Sequence, residues 1–255
     1  MEKEKNKIKY SIVIPAYNES DKITSSLTHV TNFMKTLPYY YEIIVVDDGS
    51  SDETVNVVKD YIKENRQVVL VKNKHMGKAP TVAKGVKKAK GELIYIADAD
   101  FSSPINEIKK MGVWIDDHDY DIVIGSREGT GAVRSNEPFH RHLMGRVFNI
   151  IVQILLLPGI KDSQCGFKLF KSNVAKELFS DLQTGMTDKE LKHAYTGAWD
   201  VEILYVAKLR GYKIKEVSVT WAHVKSNRVS PLRDSLKMLA EVLKIKINSL
   251  KNKYN

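Results

Sequence analysis

Asp98-Ala99-Asp100 sets two carboxylates one residue apart, directly after the apolar run Glu92-Leu93-Ile94-Tyr95-Ile96-Ala97. Such a run reads as a buried strand. Alternate side chains of a strand point the same way, so Asp98 and Asp100 converge if the extended geometry continues past Ala97. Two acidic oxygens at the carboxyl edge of an open α/β sheet suit a hard divalent ion, Mg²⁺ or Mn²⁺, that is already bridged to phosphates. A nucleoside-diphosphate enzyme is the resulting expectation; the plainer reading is that the acids start a turn.

The elements that must hold this pair follow from periodicity. Apolar runs predict strands over residues 10–14, 42–46, 68–71, 93–97 and 121–124. Between them, Ile23, Leu27, Val30, Phe33 and Met34 recur at helical spacing. Residues 54–61, with Asp52 as N-cap, a basic stretch over 79–89 and a stretch near 105–115 also read as helices. This alternation predicts an α/β fold, a mainly parallel sheet with helices on both faces. Pro15-Ala16-Tyr17-Asn18-Glu19, Asp47-Asp48-Gly49-Ser50-Ser51-Asp52 and Asp98-Ala99-Asp100 then all fall at carboxyl ends of strands, where such sheets bind ligands. Beyond Gly125 the reading is a basic loop over 128–142, an apolar helix over 142–157, a short strand over 167–170 and a polar insertion of uncertain form over 184–197. A helix over 200–209, a strand over 213–221 and a long amphipathic helix over 232–250 follow. The expected division is a catalytic domain over 1–230, with a nucleotide half 9–126 and an acceptor half 127–230, and a basic C-terminal helix over 231–255.

Composition narrows the class. The 255 residues are 43% hydrophobic and 28% charged, ordinary for a globular protein able to bury a sizeable core. The single cysteine, Cys165, excludes an internal disulfide and fits a reducing compartment. No pattern of paired Cys and His suggests structural zinc. The charged first residues show no secretory signal, and residues 147–157 fall short of a spanning helix, so no bilayer crossing is expected. A net charge of +9 favours polyanionic partners. Nucleic acid is not expected among them, because no RNA-recognition or helix-turn-helix signature is present and the acidic loops would repel phosphate. A basic nucleic-acid-binding module remains the alternative of another class.

Taken together, Ser11-Ile12-Val13-Ile14-Pro15-Ala16-Tyr17-Asn18-Glu19, Ile43-Ile44-Val45-Val46-Asp47-Asp48-Gly49-Ser50-Ser51-Asp52 and Asp98-Ala99-Asp100 resemble the family 2 glycosyltransferases with the GT-A fold. Gly125-Ser126-Arg127 and Asp162-Ser163-Gln164-Cys165-Gly166-Phe167-Lys168-Leu169-Phe170 are similar to the polyprenyl-phosphate branch. Trp199-Asp200-Val201-Glu202-Ile203-Leu204 and Glu216-Val217-Ser218-Val219-Thr220-Trp221 look most like its dolichyl-phosphate β-glucosyltransferases. Two departures stand out. Mannosyl-transferring relatives often carry Gln where this chain has Ser102, leaving a third protein ligand in doubt, and many relatives continue into membrane helices.

The resemblance implies an inverting, metal-dependent transfer of a hexose, glucose from UDP-glucose being expected, to a polyprenyl or dolichyl phosphate. A GDP-mannose-dependent mannosyltransferase and transfer to a saccharide hydroxyl are the alternatives within the class. Asp98, Asp100, Arg127 and Asp200 are the implied catalytic residues, with Asp98 and Asp100 holding Mg²⁺ or Mn²⁺. Pro15, Tyr17, Glu19, Asp48, Lys78, Asp98 and Ala99 would form the donor-nucleotide site, Tyr17 stacking on the base and Asp48 accepting from it. Arg127, Arg134 and Arg141 would take the acceptor phosphate, since guanidinium forks suit phosphate. Asp200 is read as orienting acceptor or sugar, or as a helix cap. Met144, Phe148, Ile151 and Leu155 read as core, a lipid-facing groove being the alternative that the expected acceptor implies. Leu236, Leu239, Leu243, Ile247 and Leu250 trace one helix face, flanked by Lys237, Lys244, Lys246, Lys251 and Lys253. Such a helix lies in a membrane interface, or packs on the domain or in a homodimer. The first is preferred, placing the protein peripherally at the cytoplasmic face of a membrane.

Overall fold

The apolar runs of the first hundred residues become the parallel part of one seven-stranded sheet. The structure, a computed structural model, describes residues 7–187, 189–191, 193–224 and 231–254. In chain order the elements are β1 (Ile8–Ala16), α1 (Ile23–Met34), β2 (Tyr40–Asp47), α2 (Thr54–Glu64), β3 (Val68–Lys72), α3 (Lys78–Lys88), β4 (Leu93–Ile96) and α4 (Glu107–Asp116). They continue as β5 (Ile122–Ser126), β6 (Val133–Ser135), α5 (Phe139–Leu155), β7 (Lys168–Lys171), α6 (Ser172–Ser180), α7 (Trp199–Leu209), β8 (Ile214–Ser218), β9 (Thr220–Ala222) and α8 (Pro231–Leu250). The sheet order is β3-β2-β1-β4-β7-β5-β8, and β6 pairs with β9 in a separate two-stranded sheet.

Period-two alternation sorts the side chains. Val13, Ile44, Val46, Ile94 and Ile124 face one core layer, shared with α3, α5, α6, α7 and α8. Ile12, Ile14, Ile43, Val45 and Tyr95 face the other, against α1, α2 and α4. Burial on both faces explains why these strands are continuous Val/Ile runs.

The second half departs from expectation in physical ways. The expected short strand is present as β7, but it runs antiparallel to both β4 and β5 and lies between them. The strand expected over 213–221 splits at Val219: β8 pairs with β5, and β9 leaves the main sheet to pair with β6 inside the presumed loop. The apolar helix begins earlier, at Phe139, and α6 was not foreseen. The N-cap of α2 is Glu53 rather than the expected Asp52; Asp52 stands one residue earlier, its Oδ1 accepting from the Thr54 amide at 3.0 Å. Among the described residues no helix is long and apolar enough to cross a membrane.

The C-terminal helix both docks and exposes apolar surface. Val242 and Ile245 of α8 are fully buried, while Leu236, Leu243, Ile247 and Leu250 point outward. Phe139, Leu143, Val147, Ile150 and Ile154 form a like stripe on α5, and α5 touches α8.

Candidate active site

The loops after β1, β2 and β4, the first turn of α3, residues 164–166, residues 194–197 and the starts of α7 and α8 enclose a cavity of ≈ 410 Å³. Pro15, Tyr17, Glu19, Asp48, Lys78, Asp98, Ala99, Asp100, Arg127, Arg141 and Asp200 all reach its wall.

Asp98 and Asp100 get there by a route other than the one expected. β4 stops at Ile96. Residues 98–101 form a turn, the Phe101 amide donating to the Asp98 carbonyl at 3.1 Å, with Phe101 itself at φ 45°. The Ser102 amide donates to Asp100 Oδ1 at 3.0 Å. A turn, not a persisting strand, therefore brings the acids to one cavity. Asp98 is crowded from behind: a Cβ on Gly166 would lie 2.0 Å from its Oδ2, so only glycine fits there. On the cavity side Lys78 Nζ donates to Asp98 Oδ1. Burial pushes the Asp100 carboxyl up, and the charge of Asp98 adds to it. Burial also opposes ionisation of Asp98, but Lys78, with Lys168 and Arg127, more than offsets it and the carboxyl is held below its usual range.

The segment over residues 75–77 is organised around Asp48. Its carboxylate accepts from the Met76 amide (2.9 Å), the Gly77 amide (3.0 Å) and Thr81 Oγ1 (2.8 Å), and pairs with His75 Nδ1 at 2.8 Å. With four partners, Asp48 holds the 75–77 turn, and it also reaches the wall of the cavity. Asp47 caps its own turn, accepting from the Gly49 amide at 3.2 Å. Tyr17 does present a ring, but one face stacks on His75 (4.1 Å, 8°). Nothing in the sequence marked that lone histidine.

Arg127 lines the wall, yet its fork grips Asp162: Nε to Oδ2 is 2.7 Å and Nη2 to Oδ1 is 2.8 Å. Its backbone amide donates to the same carboxylate at 2.9 Å, and the guanidinium lies 5.3 Å over Trp221. Burial opposes the Asp162 charge, but Arg127 prevails and holds the carboxyl at about 2. The bidentate fork imagined for acceptor phosphate is thus committed to Asp162. Arg134 does not reach the cavity wall. It pairs with Glu128 and Glu137 and donates to the Arg127 carbonyl at 2.8 Å. Arg141, on the first turn of α5, is the exposed arginine at the mouth. Ser102, at the position where some relatives carry Gln, has its Oγ turned to Trp221, accepting from Nε1 at 3.0 Å.

Asp200 sits buried in the first turn of α7 rather than at the cap, which is Ala198. Burial pushes its carboxyl up, against Lys168 and Lys78. Lys168, only 1% exposed, approaches Asp200 Oδ2 at 3.7 Å and donates to the Cys165 carbonyl. The sequence did carry a signal for Lys168, a cation inside an apolar strand. Burial and then Asp162 push the Cys165 thiol up to about 11, and the side chain is buried in the core. Tyr195 and Met238, also on the wall, were not foreseen.

The acids fit a divalent ion of modest protein ligation. Among the described residues no group of three His, Cys, Asp or Glu side chains is placed to hold a metal ion. Two carboxylates beside open cavity, one already gripping an ammonium, suit Mg²⁺ or Mn²⁺ with remaining positions left to water and phosphate. Asp98 and Asp100 would hold it.

Loops carrying Tyr17, Asp48 and the Asp98–Asp100 pair at the carboxyl edge of one mostly parallel sheet make the GT-A architecture of the glycosyltransferases. The chain belongs to glycosyl transferase family 2, whose family model matches residues 11–179. Among curated proteins it is 33% identical over 253 residues to a dolichyl-phosphate beta-glucosyltransferase of Dictyostelium discoideum, covering 94% of this chain and 74% of that protein. To the Homo sapiens protein of the same name it is 32% identical over 259 residues, covering 94% and 75%. It therefore spans about three quarters of these relatives' length. The fold is shared with glucosyl-3-phosphoglycerate synthase from Mycobacterium tuberculosis, solved with Mn²⁺, UDP-glucose and phosphoglyceric acid (TM-score 0.66, 13% identity, 94% of this chain and 80% of that one).

Proposed function

We propose that the chain transfers glucose, with inversion, from UDP-glucose to a dolichyl or other polyprenyl phosphate, using Mg²⁺ or Mn²⁺ and working from the cytoplasmic face of a membrane. The glucose and the lipid phosphate follow the names of the relatives; UDP-glucose and Mn²⁺ are the ligands of a protein of the same fold. The observation that carries the lipid acceptor is the construction of the mouth. Arg141 of α5 and Met238 of α8 line it, and the outer faces of those helices are the two exposed apolar stripes. An acceptor phosphate reaching the cavity past Arg141 leaves its prenyl chain on apolar surface.

A bound divalent ion would supply Lewis-acid stabilisation of the departing diphosphate. The acceptor phosphate is ionised at neutral pH, so the chain needs no strong base and its residues serve mainly to position. Asp200, paired with Lys168, orients rather than abstracts a proton. Tyr17 and the backbone of 15–19 bound the base end. The test incubates the purified protein with Mg²⁺, a polyprenyl phosphate and each radiolabelled nucleotide sugar in turn. Label from UDP-glucose in the organic phase is expected. Label from GDP-mannose alone, or extension of free oligosaccharide with no labelled lipid, overturns the reading.

A further inference from the structure

We propose that Lys78 is a resident counter-ion standing in the divalent cation's place, which must leave Asp98 for the donor diphosphate before the metal can settle. Metal and nucleotide would then be bound tightly only together. This rests on the metal-dependent reading above.

Three features carry it. The Lys78 ammonium donates to Asp98 Oδ1, on the carboxylate that would ligate the metal, and it also feels the charges of Asp200 and Asp100. An ammonium and a divalent ion cannot share that oxygen without strong repulsion. Asp98 occupies the space that a Cβ on Gly166 would fill, so its Oδ2 edge packs against that glycine and Oδ1 is the edge that Lys78 holds. The main chain of Lys78 is pinned as well: its amide donates to the Tyr195 carbonyl at 3.2 Å, and the preceding Gly77 is held by Asp48. What remains free to move is the four-carbon stem, whose ammonium is a compact charge that finds an equal partner in a phosphate oxygen. Lys78 opens α3, so the swing takes place at a helix N-terminus, where anions are favoured.

Mn²⁺ binding to the full chain, measured by electron paramagnetic resonance or calorimetry with and without UDP, tests this. The comparison is between wild type, Lys78→Met and Lys78→Arg, with thermal melts checking the fold. Wild type should bind Mn²⁺ weakly alone and far more tightly with UDP. Lys78→Met should bind Mn²⁺ alone about tenfold more tightly than wild type, a gain of about 1.4 kcal/mol, and the enhancement by UDP should shrink. Lys78→Arg, keeping the charge, should stay weak without UDP. If wild type binds Mn²⁺ with UDP but Lys78→Met gains nothing without it, the counter-ion role is overturned and the metal reading stands. If no protein binds Mn²⁺ even with UDP, both fall.

Discussion

Arg127 and Asp162 bring opposite charges to a place where neither could remain alone. Removing one partner of such a buried pair leaves an uncompensated charge, so Arg127→Ala should cost on the order of 3–5 kcal/mol in urea unfolding. A variant of unchanged stability but raised acceptor KM would instead return Arg127 to phosphate binding. The same pair sets an acid limit. With the Asp162 carboxyl held at about 2 when folded, below its unfolded value near 4, its stabilisation is complete above pH 4. It disappears as pH falls from there toward 2. Asp162→Asn should flatten that limb of the stability profile, and an unchanged limb would refute the assignment. Asp100→Asn should lower kcat by on the order of a hundredfold or more with an unaltered melt; activity that survives both this change and chelator would remove the metal role. The strand-end acids, Tyr17, Glu19, Lys78, Arg141 and Asp200 were legible because residue type, with a place in a strand-end loop or a first helical turn, brings them to the cavity. Asp162 to Arg127 and His75 to Asp48 were not. Those pairings join distant segments, and a single sequence carries no local trace of them.

At the scale of elements, α5 and α8 each satisfy two demands. Their inner faces complete the core, and their outer faces carry stripes on which Ile154 is 78% and Leu250 74% exposed. Because these side chains bury nothing, Ile154→Glu with Leu250→Glu should leave the melting temperature within a few degrees. The double variant should pellet less than wild type with anionic vesicles, the lysines of α8 adding the electrostatic part. Equal pelleting would show that the stripes do not meet lipid. The helical period revealed the face of α8 without saying which side was inward, since Met238, Val242 and Ile245 form a second apolar line. Strand direction was hidden for a related reason: a four-residue run such as Lys168–Lys171 reads the same whether it enters the sheet parallel or antiparallel.

For the whole molecule, the decisive feature is that β7 joins β4 to β5. The sequence divides naturally near residue 126, and the α/β alternation of the first half was readable throughout. Yet the nucleotide half does not contain the strand that links its own members. A fragment ending at Ser126 should therefore melt without a cooperative transition, while the full chain melts with one; a sharp two-state transition in the fragment would contradict this. On the ribosome, which adds about 5–20 residues per second, β4 and β5 must wait as open edges until the chain through Lys171 has emerged. Throughout that interval two exposed Ile-rich strands are free to pair with strangers. The nascent chain's most vulnerable moment thus falls after the loops that follow β1, β2 and β4 are made, and a chaperone that shields sheet edges would matter most there.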